Sequence, residues 1–113
     1  MIIYHNARCS KSRQTLALIE GAGIKPTIVN YLDAPLIEAE INDLLNKLGL
    51  EARAIIRSGE DAYKELGLGD SNLSEQNLIA AIAKRPKLLE RPIVVKGNKA
   101  IIGRPPENVL ELL

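Results

Sequence analysis

The apolar positions of this chain change period from segment to segment. Ile2, Ile3 and Tyr4 form a short apolar run that predicts a strand. His5 to Ser10 follows as a polar loop. From Ser10 the spacing turns helical, with Leu16, Ile19 and Ala22 on one stripe and Leu18 beside it. Gly21 and Gly23 suit the end of that helix. Pro26 to Tyr31 reads as a second strand, with proline at its start, where a missing N–H does least harm. Ile37, Ile41, Leu44, Leu45 and Leu48 then mark the clearest helix, with Glu38 and Glu40 early, Lys47 late and Gly49 as its stop. Ala54 to Ile56 and Glu60 to Leu66 suggest two short helical turns, the latter ending at Gly67 or Gly69.

A further helix begins at Ser74, a good N-cap type, and Glu75 favours the positive end of its dipole. Leu73 and Leu78 have staple spacing, whereas Asn77 leaves the capping box incomplete, because Glu or Gln would be expected there. Leu78, Ile79 and Ile82 are expected to face inward. Arg85 to Arg91 is a basic loop. Ile93–Lys96 and Lys99–Ile102 are two strands joined by Gly97-Asn98, a two-residue hairpin signal. Pro105 and Pro106 open a last helix with an apolar face of Val109, Leu110 and Leu113. The order is β-α-β-α, short helices, α-β-β-α. It predicts an α/β sheet covered by helices, and it is the order of a thioredoxin-like fold with a helical insertion before the C-terminal hairpin and helix. With 113 residues, no repeats and no linker, the expectation is a single domain over 1–113.

Composition narrows the function classes. There is no Phe or Trp, so Leu, Ile and Ala must fill the core. Fifteen basic residues against 14 acidic ones give a net charge of +1, which disfavours a nucleic-acid binder. The N-terminus lacks the apolar stretch of a signal peptide, and no run is long enough for a membrane span. A cytoplasmic protein is expected. The one cysteine, Cys9, excludes an internal disulfide and a four-cysteine zinc site.

Cys9 falls between a strand and the start of a helix. Unpaired N–H groups and the helix dipole favour a thiolate there, and the thiolate is the reactive form. His5, Arg8, Lys11 and Arg13 surround it in sequence. The same loop would hold an oxyanion. Arg57, Arg91 and Arg104 stand at element boundaries, and each offers a planar fork of donors suited to an oxyanion. Ordinary alternatives exist for each residue. A free cysteine can be an inert buried hydrophobe, although the polar flanks here argue against burial. His5 can cap a loop, Ser10 and Ser12 can cap a helix, and the arginines can be solvated surface charges.

The segment Tyr4-His5-Asn6-Ala7-Arg8-Cys9-Ser10-Lys11-Ser12-Arg13 resembles the active-site segment of the ArsC-type, glutaredoxin-coupled arsenate reductases. The resemblance continues through Asn30-Tyr31-Leu32, Arg53 to Arg57, Tyr63 to Leu68, Arg91 to Val95 and Gly103-Arg104-Pro105. In length the chain is similar to the short branch of that family. The resemblance implies a thioredoxin-like fold and an arsenate reductase. Cys9 would be the nucleophile, His5 would help lower its pKa, and Ser12 would hydrogen-bond the thiolate. Arg57, Arg91 and Arg104 would bind the oxyanion, and Arg91–Pro92 would be the cis proline of the fold. The thiolate would attack arsenate, glutathione would displace oxygen from the adduct, and glutaredoxin would resolve the mixed disulfide. No bound cofactor is implied, and glutathione serves as thiol co-substrate. Independently of the family, a solitary cysteine needs an external thiol for any redox cycle. Two other readings stand beside this one. One is a general glutathione-dependent thiol/disulfide reductase. The other is a non-catalytic regulatory binding protein of the same fold, whose Cys-x-x-Cys switch is absent here because Ser12 holds the second position.

Overall fold

The computed structural model describes residues 1–113. The chain divides into two compact units, one made of Met1–Ala34 with Arg91–Leu113 and the other of Pro35–Glu90.

The first unit is built on a four-stranded sheet. Its strands are β1 (Ile2–Tyr4), β2 (Thr27–Val29), β3 (Ile93–Lys96) and β4 (Lys99–Ile102), in the order β2-β1-β3-β4. β1 pairs in parallel with β2 and antiparallel with β3, and β3 forms the hairpin with β4. Ile3 stands opposite Ile28 on one side and Val94 on the other. β2 is shorter than Pro26–Tyr31, because the chain leaves the sheet into a turn in which Asp33 N–H donates to the Asn30 carbonyl. The helix α1 (Ser10–Gly21) crosses from β1 to β2. Its core joins Ile3, Ile19, Val94, Val109 and Leu112.

The buried face of α1 differs from the expected stripe. Ser12, Thr15 and Ile19 are buried, Leu16 is only partly so, and Ala22 lies beyond the helix end and is exposed. Burial of the two hydroxyls is possible because both are hydrogen-bonded. The last segment, Pro106–Leu112, is a 3₁₀ helix. Its period of three residues turns Pro106, Val109 and Leu112 inward and leaves Leu110 and Leu113 exposed, which corrects the face expected for an α-helix.

The second unit is helical. It contains α2 (Glu38–Leu48), α3 (Asp61–Glu65), α4 (Glu75–Lys84) and short 3₁₀ turns at Ala52–Ile55 and Pro86–Leu88. α2 packs on α4. Buried residues here include Ile41, Leu44, Leu45, Ile55, Leu78, Ile79, Ile82, Leu88 and Leu89, so aliphatic side chains do fill the interior. Ile37 is the N-cap of α2 and is exposed rather than inward-facing. Gly49 ends that helix in the left-handed region at φ 68°. The capping box of α4 is complete after all. Asn77 N–H donates to Ser74 Oγ at 3.1 Å, and Ser74 N–H donates to Asn77 Oδ1 at 3.1 Å. The amide oxygen of asparagine performs the task expected of Glu or Gln.

Candidate active site

The site grows from the end of β1. His5 N–H donates to the Val29 carbonyl at 2.9 Å, which extends the parallel pairing one residue beyond the strand. The chain then turns, with Cys9 N–H donating to the Asn6 carbonyl at 3.0 Å and Arg8 N–H to Asn6 Oδ1 at 3.0 Å. Cys9 has extended backbone angles and is the N-cap of α1, with Arg13 N–H donating to its carbonyl at 3.0 Å. The Arg13 guanidinium turns back to donate to the Ala7 carbonyl at 3.0 Å. It therefore braces the loop and is not merely a solvated surface charge.

His5 and Ser12 lock this loop from within. Ser12 is fully buried, and its Oγ lies 2.6 Å from His5 Nδ1 while accepting from Asn6 N–H at 3.1 Å. Burial pushes the His5 pKa below its ordinary value, and the positive charge of Arg13 pushes it the same way, against a smaller opposing pull from Glu20. The net shift favours the neutral imidazole. Its ring nitrogen Nδ1 is engaged by Ser12 Oγ. The resemblance assigns the Ser12 hydroxyl to the thiolate. In the structure that hydroxyl is engaged by His5 and Asn6, and the Ser12 bond to Cys9 comes from its backbone N–H.

Cys9 is a free, half-buried thiol. Burial pushes its pKa up. Hydrogen bonds from Ser12 N–H, the Arg91 and Arg104 side chains and Lys11 N–H together outweigh burial and bring it down to about 7. Arg104 Nη1 lies 3.6 Å from Sγ and also donates to the Arg91 carbonyl at 3.0 Å. Both Arg91–Pro92 and Arg104–Pro105 are cis, the second of which the sequence did not suggest. The structure thus brings Cys9, His5, Ser12, Arg91 and Arg104 together in the first unit. Arg57 belongs to the second unit, where its Nη1 pairs with Glu90 Oε1 at 2.7 Å and its Nε lies 3.8 Å from Glu60 Oε1. A cleft of about 340 Å³ also flanks the Cys9 loop, with His5, Asn6, Arg8, Asn30 and Asp33 in its walls.

Sequence reasoning missed Thr15 and Asn108. Thr15 Oγ1 is 2.8 Å from the Lys11 carbonyl and 3.3 Å from that of Gly103. Asn108 Nδ2 donates to the carbonyls of Ile102 and Arg104. No apolar periodicity or charge motif marks either residue. The only available signal was a hydroxyl one helical turn after Ser12.

A mixed sheet, a cysteine at the N-terminus of the first helix and a cis proline before β3 together define a thiol protein of thioredoxin-like fold. Comparison with known proteins narrows the class. The ArsC family model matches residues 4–112, and the chain belongs to the ArsC family. It is 56% identical over 112 residues to a protein of Escherichia coli K12 named only as uncharacterized protein YfgD, covering 98% of this chain and 94% of that one. It is 52% identical over 112 residues to a Neisseria meningitidis protein named arsenate reductase, covering 98% and 96%. The solved structure titled arsenate reductase from Vibrio cholerae aligns at a TM-score of 0.97 and 55% identity, covering 99% of this chain and 96% of that one. No helix is long and apolar enough to cross a membrane.

Proposed function

We propose that this protein is an arsenate reductase that works through a Cys9 thiolate–arsenate adduct, with glutathione and glutaredoxin as reductants. The observation that carries this reading is Arg104 Nη1 at 3.6 Å from a sulfur whose pKa is held near 7. Names of the relatives support the substrate, and the family match along 4–112 supports treating 1–113 as one ArsC-type domain.

In the proposed cycle the Cys9 thiolate attacks arsenic and one oxygen leaves as water. Arg91 and Arg104 offset the negative charge on the remaining oxygens, and Arg57 is the proposed third contributor. Glutathione sulfur then bonds to arsenic, and a second oxygen leaves as water. A glutaredoxin thiolate attacks that glutathione sulfur, and the sulfur–arsenic electron pair moves onto arsenic. Arsenic(V) thereby becomes arsenic(III), while the two sulfurs are oxidised to a mixed disulfide. Water finally displaces arsenite from Cys9. The cleft beside the loop, with Arg8 and Asp33 in its walls, offers opposite charges to a zwitterionic peptide thiol. Such chemistry fits the reducing cytoplasm, where glutathione is abundant.

The alternative, a general glutathione-dependent thiol/disulfide reductase, draws on one observation. Arg57 is already paired with Glu90, and disulfide exchange does not require that arginine. An arsenite-production assay with glutathione, with and without glutaredoxin, separates the readings. Substituting Arg57, Arg91 and Arg104 by Ala one at a time should abolish arsenate turnover while Cys9 remains alkylatable. Disulfide reduction that survives all three substitutions, without arsenate turnover in the parent protein, favours the alternative.

A further inference from the structure

The segment that carries Arg104 has an unusual property. All four carbonyls from Ile102 to Pro105 receive hydrogen bonds from just two residues. Asn108 Nδ2 donates to Ile102 O at 3.2 Å and to Arg104 O at 3.1 Å, and Asn108 N–H donates to Pro105 O at 3.0 Å. The Thr15 hydroxyl takes Gly103 O, sharing its proton with Lys11 O. Gly103 N–H donates to Pro92 O at 2.9 Å. The segment is also closed sterically, since a Cβ on Gly103 would lie 2.6 Å from Thr15 Oγ1 and 2.8 Å from Pro92 Cγ.

We propose that Asn108 is a positioning residue for the Cys9 site: by fastening the carbonyls on both sides of Gly103 it holds the Arg104 guanidinium on the sulfur, with Thr15 as second fastener. The amide chemistry is specific to this task. Both side-chain partners are carbonyls, which can only accept, so the NH₂ group must face them, and it has two protons for two acceptors. The partners are the carbonyl of Arg104 itself and that of Ile102 two residues before it, which fixes the backbone leading into and out of Arg104. Arg104 then spans Cys9 Sγ and the Arg91 carbonyl with one nitrogen. A small rotation of its backbone would lose both contacts. Groups facing the sulfur from the packed elements are the Arg91 and Arg104 side chains and the N–H groups of Lys11 and Ser12. Only the Arg104 contribution runs through Asn108.

The inference deepens the site of the proposed function but is read without arsenate, so it can fail or hold independently of that reading. The measurement is the pH midpoint of Cys9 alkylation by iodoacetamide. Asn108→Leu keeps the side-chain shape and removes both donors. Its midpoint should rise from about 7 toward the free-thiol value of about 8.5, in the same direction as Arg104→Ala. In an Arg104→Ala background, Asn108→Leu should add nothing, because its effect runs through that arginine. A merely structural role would shift the midpoint equally in both backgrounds. An unmoved midpoint in Asn108→Leu, or full additivity with Arg104→Ala, overturns the proposal. Should Asn108→Leu not fold, Thr15 decides. Thr15→Ser keeps the hydroxyl and should keep the midpoint, and Thr15→Val should raise it. Equal midpoints in that pair overturn the proposal as well.

Discussion

The N-termini of α1 and α4 present the same problem, unpaired N–H groups at the positive end of a dipole. The chain solves it in opposite ways. At α4, Ser74 and Asn77 close the end with reciprocal hydrogen bonds, and Glu75 adds a negative charge in the first turn. At α1, the N-cap is Cys9, which has no side-chain oxygen to close the end, and the first turn holds no acidic residue. The N–H groups of Lys11 and Ser12 point instead at the sulfur. One end is spent on stability. The other stays open to an anion, first the thiolate and then, on the proposed reading, an arsenic oxyanion.

The largest test of that contrast converts the open end into a closed one. Cys9→Ser places the preferred N-cap residue at α1, where its hydroxyl can accept from Ser12 N–H. Arsenite production with glutathione and glutaredoxin should vanish. Thermal unfolding, followed by circular dichroism at pH 6, should match the parent or rise by about 0.5–1 kcal/mol. Residual arsenite production would rule out Cys9 as nucleophile. Lost stability would mean that the thiol was already an adequate cap.

The same contrast explains what could be seen in the sequence. Cys9 was legible because its signal is local, a strand, a polar loop and a helix start within ten residues. The element order was legible from apolar spacing, since α2 and α4 bury almost purely aliphatic faces. Apolar spacing fails on α1, whose inner face is Ser12, Thr15 and Ile19. Those hydroxyls are buried because loop atoms and a carbonyl 88 residues away complete them, and a periodicity count has no access to such partners. It fails again at Pro106–Leu112, where the period drops from 3.6 to 3 and swaps which leucine is buried. Arg104 could be named as a boundary arginine. The device that aims it, Asn108 on backbone carbonyls, exists only after folding.

A second, smaller effect follows from the open end. With a folded-state pKa near 7, about half of Cys9 is thiolate at pH 7, and iodoacetamide reactivity should rise with that midpoint. The folded value lies below the unfolded one of about 8.5. The unfolded state therefore holds the extra proton between those values, and stability should climb as pH rises through this window. The gain is full above about pH 8.5 and is lost as pH falls through 7. Cys9→Ser should lack that slope. A midpoint of 8.5 or higher in the parent protein would mean that the α1 end is no more open to an anion than a free thiol in water.

The smallest effect belongs to the closed end. Ser74→Ala removes the acceptor for Asn77 N–H, and Asn77 Oδ1 retains only its bond from the residue 74 backbone. Cap losses of this kind cost about 0.5–2 kcal/mol. Both partners are exposed, so water recovers part of the loss, and the low end of that range, about 0.5–1 kcal/mol, is expected. Asn77→Ala should cost a similar amount, and the double variant less than the sum, because the two bonds form one reciprocal pair. The Cys9 alkylation midpoint should not move in any of the three. That null result matters as much as the stability change. The groups that act on the sulfur are those of Lys11, Ser12, Arg91 and Arg104, and a midpoint that shifted with Ser74 would mean that the two helix ends are coupled and not separately committed to stability and to chemistry.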